Sequence, residues 1–158
     1  MNAPTPRAQL LPTPTAPDRY ATHEVRNQAS PASGFNAFDG DTVLVEAVKR
    51  EAPWAAARCS ALGRLAGDEA VQELARLANR HVPELKTHDC YGHRIDWVEL
   101  HPAWHELMGL AWQHEVHSLA WNAPGPQPHF ARAVLSLLWN QVEHGTGCPT
   151  GMAYAAHA

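Results

Sequence analysis

Charge is scarce in this 158-residue chain, and positive charge is scarcer than negative. Its 12 Lys and Arg stand against 16 Asp and Glu, charged residues make up 18% of the total, and the formal net charge is -4. No run of Lys or Arg occurs anywhere, which disfavours phosphate-driven binding to nucleic acid. Cysteine is also sparse. The three present, Cys59, Cys90 and Cys148, are too few and of the wrong parity for a disulfide framework, and they fit a reducing cytoplasm. No apolar run reaches the roughly 18 residues a membrane helix needs, and no charged-then-apolar leader opens the chain. These absences point to a soluble, intracellular domain, with 45% apolar residues from which to build a core.

What is present begins with proline. Residues 1–21 are rich in Pro, Thr and Ala, as in Leu11-Pro12-Thr13-Pro14-Thr15. Repeated prolines remove backbone donors and favour extended polyproline-like structure, so this stretch reads as a disordered tail. From Thr22 to Phe38 the text is a loop with the apolar anchors Val25, Phe35 and Phe38.

Helical punctuation then takes over. Asp41 suits the cap of a helix that turns Leu44, Val45 and Val48 inward and ends near Ala52, because Pro53 follows. Pro53 suits the first turn of a second helix, with Trp54, Ala61, Leu62 and Leu65 as its stripe and Gly67 as its stop. Asp68 caps a third, where Val71, Leu74, Ala75 and Ala78 fall at i, i+3, i+4 and i+7. Between 85 and 100 the period changes: Ile95, Trp97 and Glu99 alternate with Arg94, Asp96 and Val98 after a turn at Asp89–Gly92, which predicts a short hairpin. A long helix over 102–121 follows, with Trp104, Met108, Ala111, Trp112, Val116 and Leu119 spread round enough of its circumference to place it centrally in a bundle. A last helix after Pro124-Gly125-Pro126 presents Phe130, Val134, Leu135, Leu138 and Val142. The fold class is all-α. Beyond Glu143 the residues Cys148–Ala158 are small, apolar and almost uncharged, whereas a free terminus is usually polar. They are expected to lie against further protein, as the first part of a larger molecule would.

Chemistry is hard to assemble from these residues. Of eleven histidines, His101 and His105 stand at i, i+4 and His114 and His117 at i, i+3, but on one helix the two pairs point apart. The zinc-protease pattern needs Glu after the first His, and Pro102 stands there. His88, Cys90 and His93 cluster at the turn without a fourth ligand, so no metal site is expected. Cys148 and His144 lack an orienting carboxylate, and Glu115 and Glu143 read as solvent-facing helix residues. No glycine-rich phosphate loop occurs. No catalytic residue is assigned.

Several blocks in fixed order carry a resemblance: His23–Gln28, Ala75–Asn79, Tyr91–Asp96, His101–Met108, Gln141–Glu143 and Cys148-Pro149. Over 22–158 the chain resembles the amino-terminal part of the AidB branch of acyl-CoA dehydrogenase-like flavoproteins, adaptive-response proteins linked to DNA alkylation damage. The resemblance implies a helical bundle of the acyl-CoA dehydrogenase amino-terminal domain type, followed in the family by a small β-domain, a second helical bundle and a DNA-binding region. Family members are tetramers and hold FAD between the β-domain and the helices. The segment matching Thr150–Ala156 lines the acyl and flavin pocket there, which makes Thr150, Met152 and Tyr154 the candidate pocket-lining residues. The flavin signature and the catalytic base of the family have no counterpart here, and Gly151 and Ala153 replace hydroxyl or branched residues of many relatives. The chain alone is therefore expected to hold no cofactor and to be inactive as an acyl-CoA dehydrogenase, its partners being the domains that complete the family protein. The alternative is a non-catalytic helical interaction module that docks on a full-length relative.

Overall fold

The computed structural model describes Tyr20, Thr22, His23, Ala29, 32–122 and 125–156. Most of the proline-rich tail, Val25 and the greater part of the His23–Gln28 block lie outside the described residues. The fold is that of the unit from Ala32 onward, which clusters separately from the residues before it. Its elements are α1 (Thr42–Glu51), a 3-10 turn (Pro53–Ala55), α2 (Ala56–Ala66), α3 (Glu69–Arg80), β1 (Glu84–His88), β2 (Arg94–Glu99), α4 (Pro102–Gln113), α5 (Leu119–Asn122), α6 (Pro128–Asn140) and α7 (His144–Ala155).

α1 and α3 start where side chains cap them. Asp41 accepts the Leu44 N–H at 3.0 Å, and Asp68 accepts from Ala70 and Val71 at 2.8 and 3.2 Å. Each such cap contributes about 1 kcal/mol. Ahead of α1, the segment 34–38 is stitched to the underside of α2. Gly34 N–H donates to Gly67 O at 2.7 Å and Ala37 N–H to Gly63 O at 2.9 Å, and Phe38 is buried. Gly63 and Gly67 permit this approach, because a methyl group at either position would overlap backbone atoms of Phe38 or Phe35.

α6 occupies the centre, packing on α1, α2, α5 and α7, while α4 packs on α3 and α7. Ala131, Val134, Leu135, Leu138 and Trp139 of α6 are buried, and they meet Leu62 of α2, Leu107 of α4 and Leu119 of α5 in one core. Full burial of each such leucine contributes roughly 1.5–3 kcal/mol. Cys59 is sealed in this core, where burial pushes its thiol pKa up to about 11.

Five sequence expectations need correction. Ala61 is exposed and the α2 stripe is Cys59, Leu62 and Ala66, because the tighter 3-10 start shifts the helical phase. The helix expected over 102–121 breaks after Gln113. Glu115 takes φ 55 and Val116 N–H reaches back to Ala111 O, a Schellman-type ending with Glu rather than Gly at the left-handed position. That break leaves Trp112 and Trp121 at the surface, and the central place goes to α6. Glu115 is accordingly a turn residue, paired with Arg58 and accepting from Asn122. In the hairpin, the register runs Glu84↔Glu99, Leu85↔Val98, Lys86↔Trp97 and then His88↔Arg94. The extra residue in β2, with Asp96 at φ 44, moves Ile95 off the Trp97 side and onto that of Leu85 and Val98. The fifth correction concerns α7. Three glycines and Pro149 depress helix propensity over 144–155, yet packing against α4 and α6 makes the segment helical.

Candidate functional site

α7 carries the residues that the family resemblance singles out, and its start is built around Glu143. This carboxylate is 6% exposed, contrary to the expected solvent-facing position. It accepts the N–H groups of Gly145 and Thr146, both at 2.7 Å, which makes it the amino-terminal cap of α7. It also accepts from Asn79 Nδ2 of α3 at 3.2 Å. A carboxylate can be buried here because three donors replace its water.

Thr146 and Thr150 continue the anchor inward. Thr146 Oγ1 accepts the indole N–H of the buried Trp139 at 3.0 Å and donates to Glu143 O at 2.9 Å. Thr150 Oγ1 returns a hydrogen bond to the helix backbone, at 3.0 Å to Thr146 O and 2.9 Å to Gly147 O. The position is 1% exposed, so Thr150 faces the bundle interior. Met152 points the opposite way and is 68% exposed, with Cys148 Sγ one turn before it at 3.9 Å from Met152 Sδ.

Tyr154 faces sideways into a cluster shared by α5, α6 and α7. Its hydroxyl lies 2.7 Å from His129 Nδ1, and the Arg132 guanidinium sits over its ring at 4.0 Å. Trp121 packs edge-on to His129 with centroids 4.9 Å apart and tilted against Tyr154 at 5.7 Å. Arg132 Nε donates to Val116 O at 2.9 Å and so holds the α4–α5 break. Burial lowers the Arg132 pKa, with the neighbouring Tyr154 acting in the opposite direction.

The three candidate residues therefore occupy three different surroundings. A cleft of about 500 Å³ opens beside the cap, lined by Asn79, Leu137, Asn140, Gln141, Glu143 and His144 among others, and none of the three lines it. The signal that could have exposed Glu143 was its position three residues before Thr146, the spacing of an N-cap, with His144 and Gly145 between. Among the described residues no three His, Cys, Asp or Glu side chains converge as metal ligands. His101 and His105 serve other contacts, the first stacked on His81 and the second edge-on to Trp104. No helix among the described residues is long and apolar enough to cross a membrane.

Comparison with known proteins adds to this geometry. Residues 27–158 match the family model for the adaptive response protein AidB N-terminal domain. The chain is 42% identical over 139 residues to the putative acyl-CoA dehydrogenase AidB of Escherichia coli K12, a match covering 87% of this chain and 26% of that protein. Among solved structures it resembles Caenorhabditis elegans ACDH-11 in complex with C11-CoA, with TM-score 0.64, 23% identity, and coverage of 85% of this chain and 24% of that one. The apo form of Bd2924 gives the same TM-score at 19% identity, covering 72% and 24%. At such identities the two structures speak for the fold alone. The chain spans about a quarter of the length of these relatives.

Proposed function

Because the chain belongs to the family of AidB amino-terminal domains, within the acyl-CoA dehydrogenase-like proteins, we propose that it forms one helical wall of an acyl and flavin cavity. The remaining walls come from the portion of the relatives that lies beyond the matched region. In this reading the complete assembly is a cytoplasmic, tetrameric flavoprotein of the DNA alkylation response, and this chain supplies α7 to its cavity. The family match over nearly the whole chain carries the reading. Its structural counterpart is the strip of α7 at Cys148 and Met152, which is uncharged and exposed.

FAD suits these residues only in part. The first-turn amides of a helix are natural donors to phosphate, but on α7 they are taken by the Glu143 carboxylate, which would also repel an anion. The start of α7 is therefore not where the phosphates of the dinucleotide would be held. What α7 can offer is uncharged surface against a ring or an acyl chain, from Met152 and, at the edge, Tyr154. FAD when bound supplies hydride acceptance; the part of this chain is to shape the cavity and exclude water.

The test is complementation. The 158-residue chain is co-expressed with an Escherichia coli AidB lacking the matching segment, and co-purification and flavin absorbance are measured. Recovery of bound flavin only in the presence of this chain is expected. Stoichiometric flavin on this chain alone, or failure of the two pieces to associate, would overturn the proposal.

A further inference from the structure

The buried carboxylate of Glu143 carries a charge that nothing nearby fully offsets. Its three hydrogen bonds all come from neutral amides, those of Gly145 and Asn79 on Oε1 and that of Thr146 on Oε2. Among the described residues no Lys, Arg or His forms an ion pair with it. The start of a helix carries about half a positive elementary charge, so the α7 dipole balances only part of a full negative one. Buried charges are ordinarily paired. A carboxylate also has about four acceptor positions, which leaves room for a further donor here.

The cleft of about 500 Å³ beside this carboxylate is rich in acceptors in the same way. Asn79 and Asn140 both line it. Asn79 Nδ2 donates to Ala75 O at 3.0 Å as well as to Glu143. Asn140 Nδ2 donates to Ser136 O at 2.8 Å and to Ser136 Oγ at 3.3 Å. With these N–H groups committed, each side chain has its Oδ1 left, and no described residue donates to either oxygen. Leu137, which is 52% exposed, and Val142 supply apolar lining, and no Lys or Arg lines the cleft.

We propose that this cleft is a docking site for an arginine side chain of a partner polypeptide. The guanidinium lies against Glu143 and the two asparagine oxygens, and its stem lies along Leu137. A guanidinium brings five N–H donors, a fixed positive charge and no acceptor, which complements a lining of oxygens; an ammonium brings three donors on a more strongly hydrated head. The methylene stem covers apolar surface on the way in. Neither Cys148 nor Met152 lines the cleft, so the inference stands apart from the flavin reading.

Titration of the full chain with N-acetyl-arginine amide, followed by two-dimensional NMR, tests this. The backbone signals of Gly145 and Thr146 and the side-chain amide of Asn79 should shift saturably. N-acetyl-citrulline amide, the neutral isostere, should leave them in place. Glu143→Gln, which keeps the shape and one acceptor oxygen but not the charge, should weaken arginine binding about tenfold. Leu137→Ala, an exposed change that leaves the cap intact, should weaken it about threefold through the lost stem contact. Absence of a saturable shift with the arginine derivative, an equal response to citrulline, or undiminished binding in either variant would each overturn the proposal.

Discussion

Asn79 on α3 donates its side-chain N–H to the carboxylate of Glu143, 64 residues later, and so ties the end of one helix to the cap of another. This bond joins two of the sequence blocks on which the family resemblance rests, Ala75–Asn79 and Gln141–Glu143. The pair fixes where α7 begins, and thereby which of its residues face outward.

Glu143→Ala should be costly. It removes a cap from two amides and one of the two acceptors of Asn79 Nδ2, which keeps Ala75 O, a loss of about 2 kcal/mol in all. Urea unfolding should show this as a lower midpoint with an unchanged slope. A loss below about 0.5 kcal/mol would mean that the cap does not anchor α7.

Two glycine substitutions should have opposite signs. Gly63→Ala forces a methyl group into Asn36 and the backbone of Phe38 and should destabilise by about 1–3 kcal/mol. Gly109→Ala, inside α4 with open space around it, should stabilise by about 0.5–1 kcal/mol. Thermal melts of the two proteins should move apart from the parent in these directions.

The three thiols should react unequally. Cys90 and Cys148 are exposed and should label with a thiol reagent at pH 8 in the folded protein, whereas buried Cys59 should label only after unfolding. Because burial raises the Cys59 pKa from 9.0 to about 11, the folded state holds its proton longer than the unfolded chain. That contribution to stability is complete below pH 9 and declines as pH rises towards 11. Cys59→Ala should flatten this alkaline decline, measured by unfolding at successive pH values.

On the acid side the sign reverses. Burial, and then the charge of Arg58, lower the His114 pKa. The folded state therefore takes up its proton later than the unfolded chain as pH falls, and stability declines below the ordinary imidazole value. His114→Gln should lessen the decline between pH 7 and 5. An unchanged decline would assign the acid sensitivity elsewhere.

The capping and periodic signals were legible from residues alone. Asp41 and Asp68 stand as caps where their spacing put them, and the stripes of α1, α3 and α6 face the core as their periodicity requires. Illegible features were those in which local preference loses to packing. Glu115 at a left-handed position breaks α4 where no glycine announces a stop, held by Arg58, Asn122 and the neighbouring Arg132 bond to Val116. α7 forms despite Gly145, Gly147, Pro149 and Gly151, because its buried threonines and the Glu143 cap supply what propensity does not. The bulge that moves Ile95 across the hairpin leaves no mark in an alternating pattern.

The candidate residues divide in the same way. Thr150, Met152 and Tyr154 could be named from motif and order, but only the three-dimensional arrangement gives them inward, outward and sideways positions. The amino-acid sequence by itself determined the all-α class, the starts of α1 and α3 and the family, because those depend on spacing within a few residues and on ordered motifs. Tertiary structure decided which helix lies at the centre, which carboxylate is buried and which way α7 faces. Those outcomes depend on contacts between residues far apart in the chain, where burial and hydrogen bonding outweigh local preference.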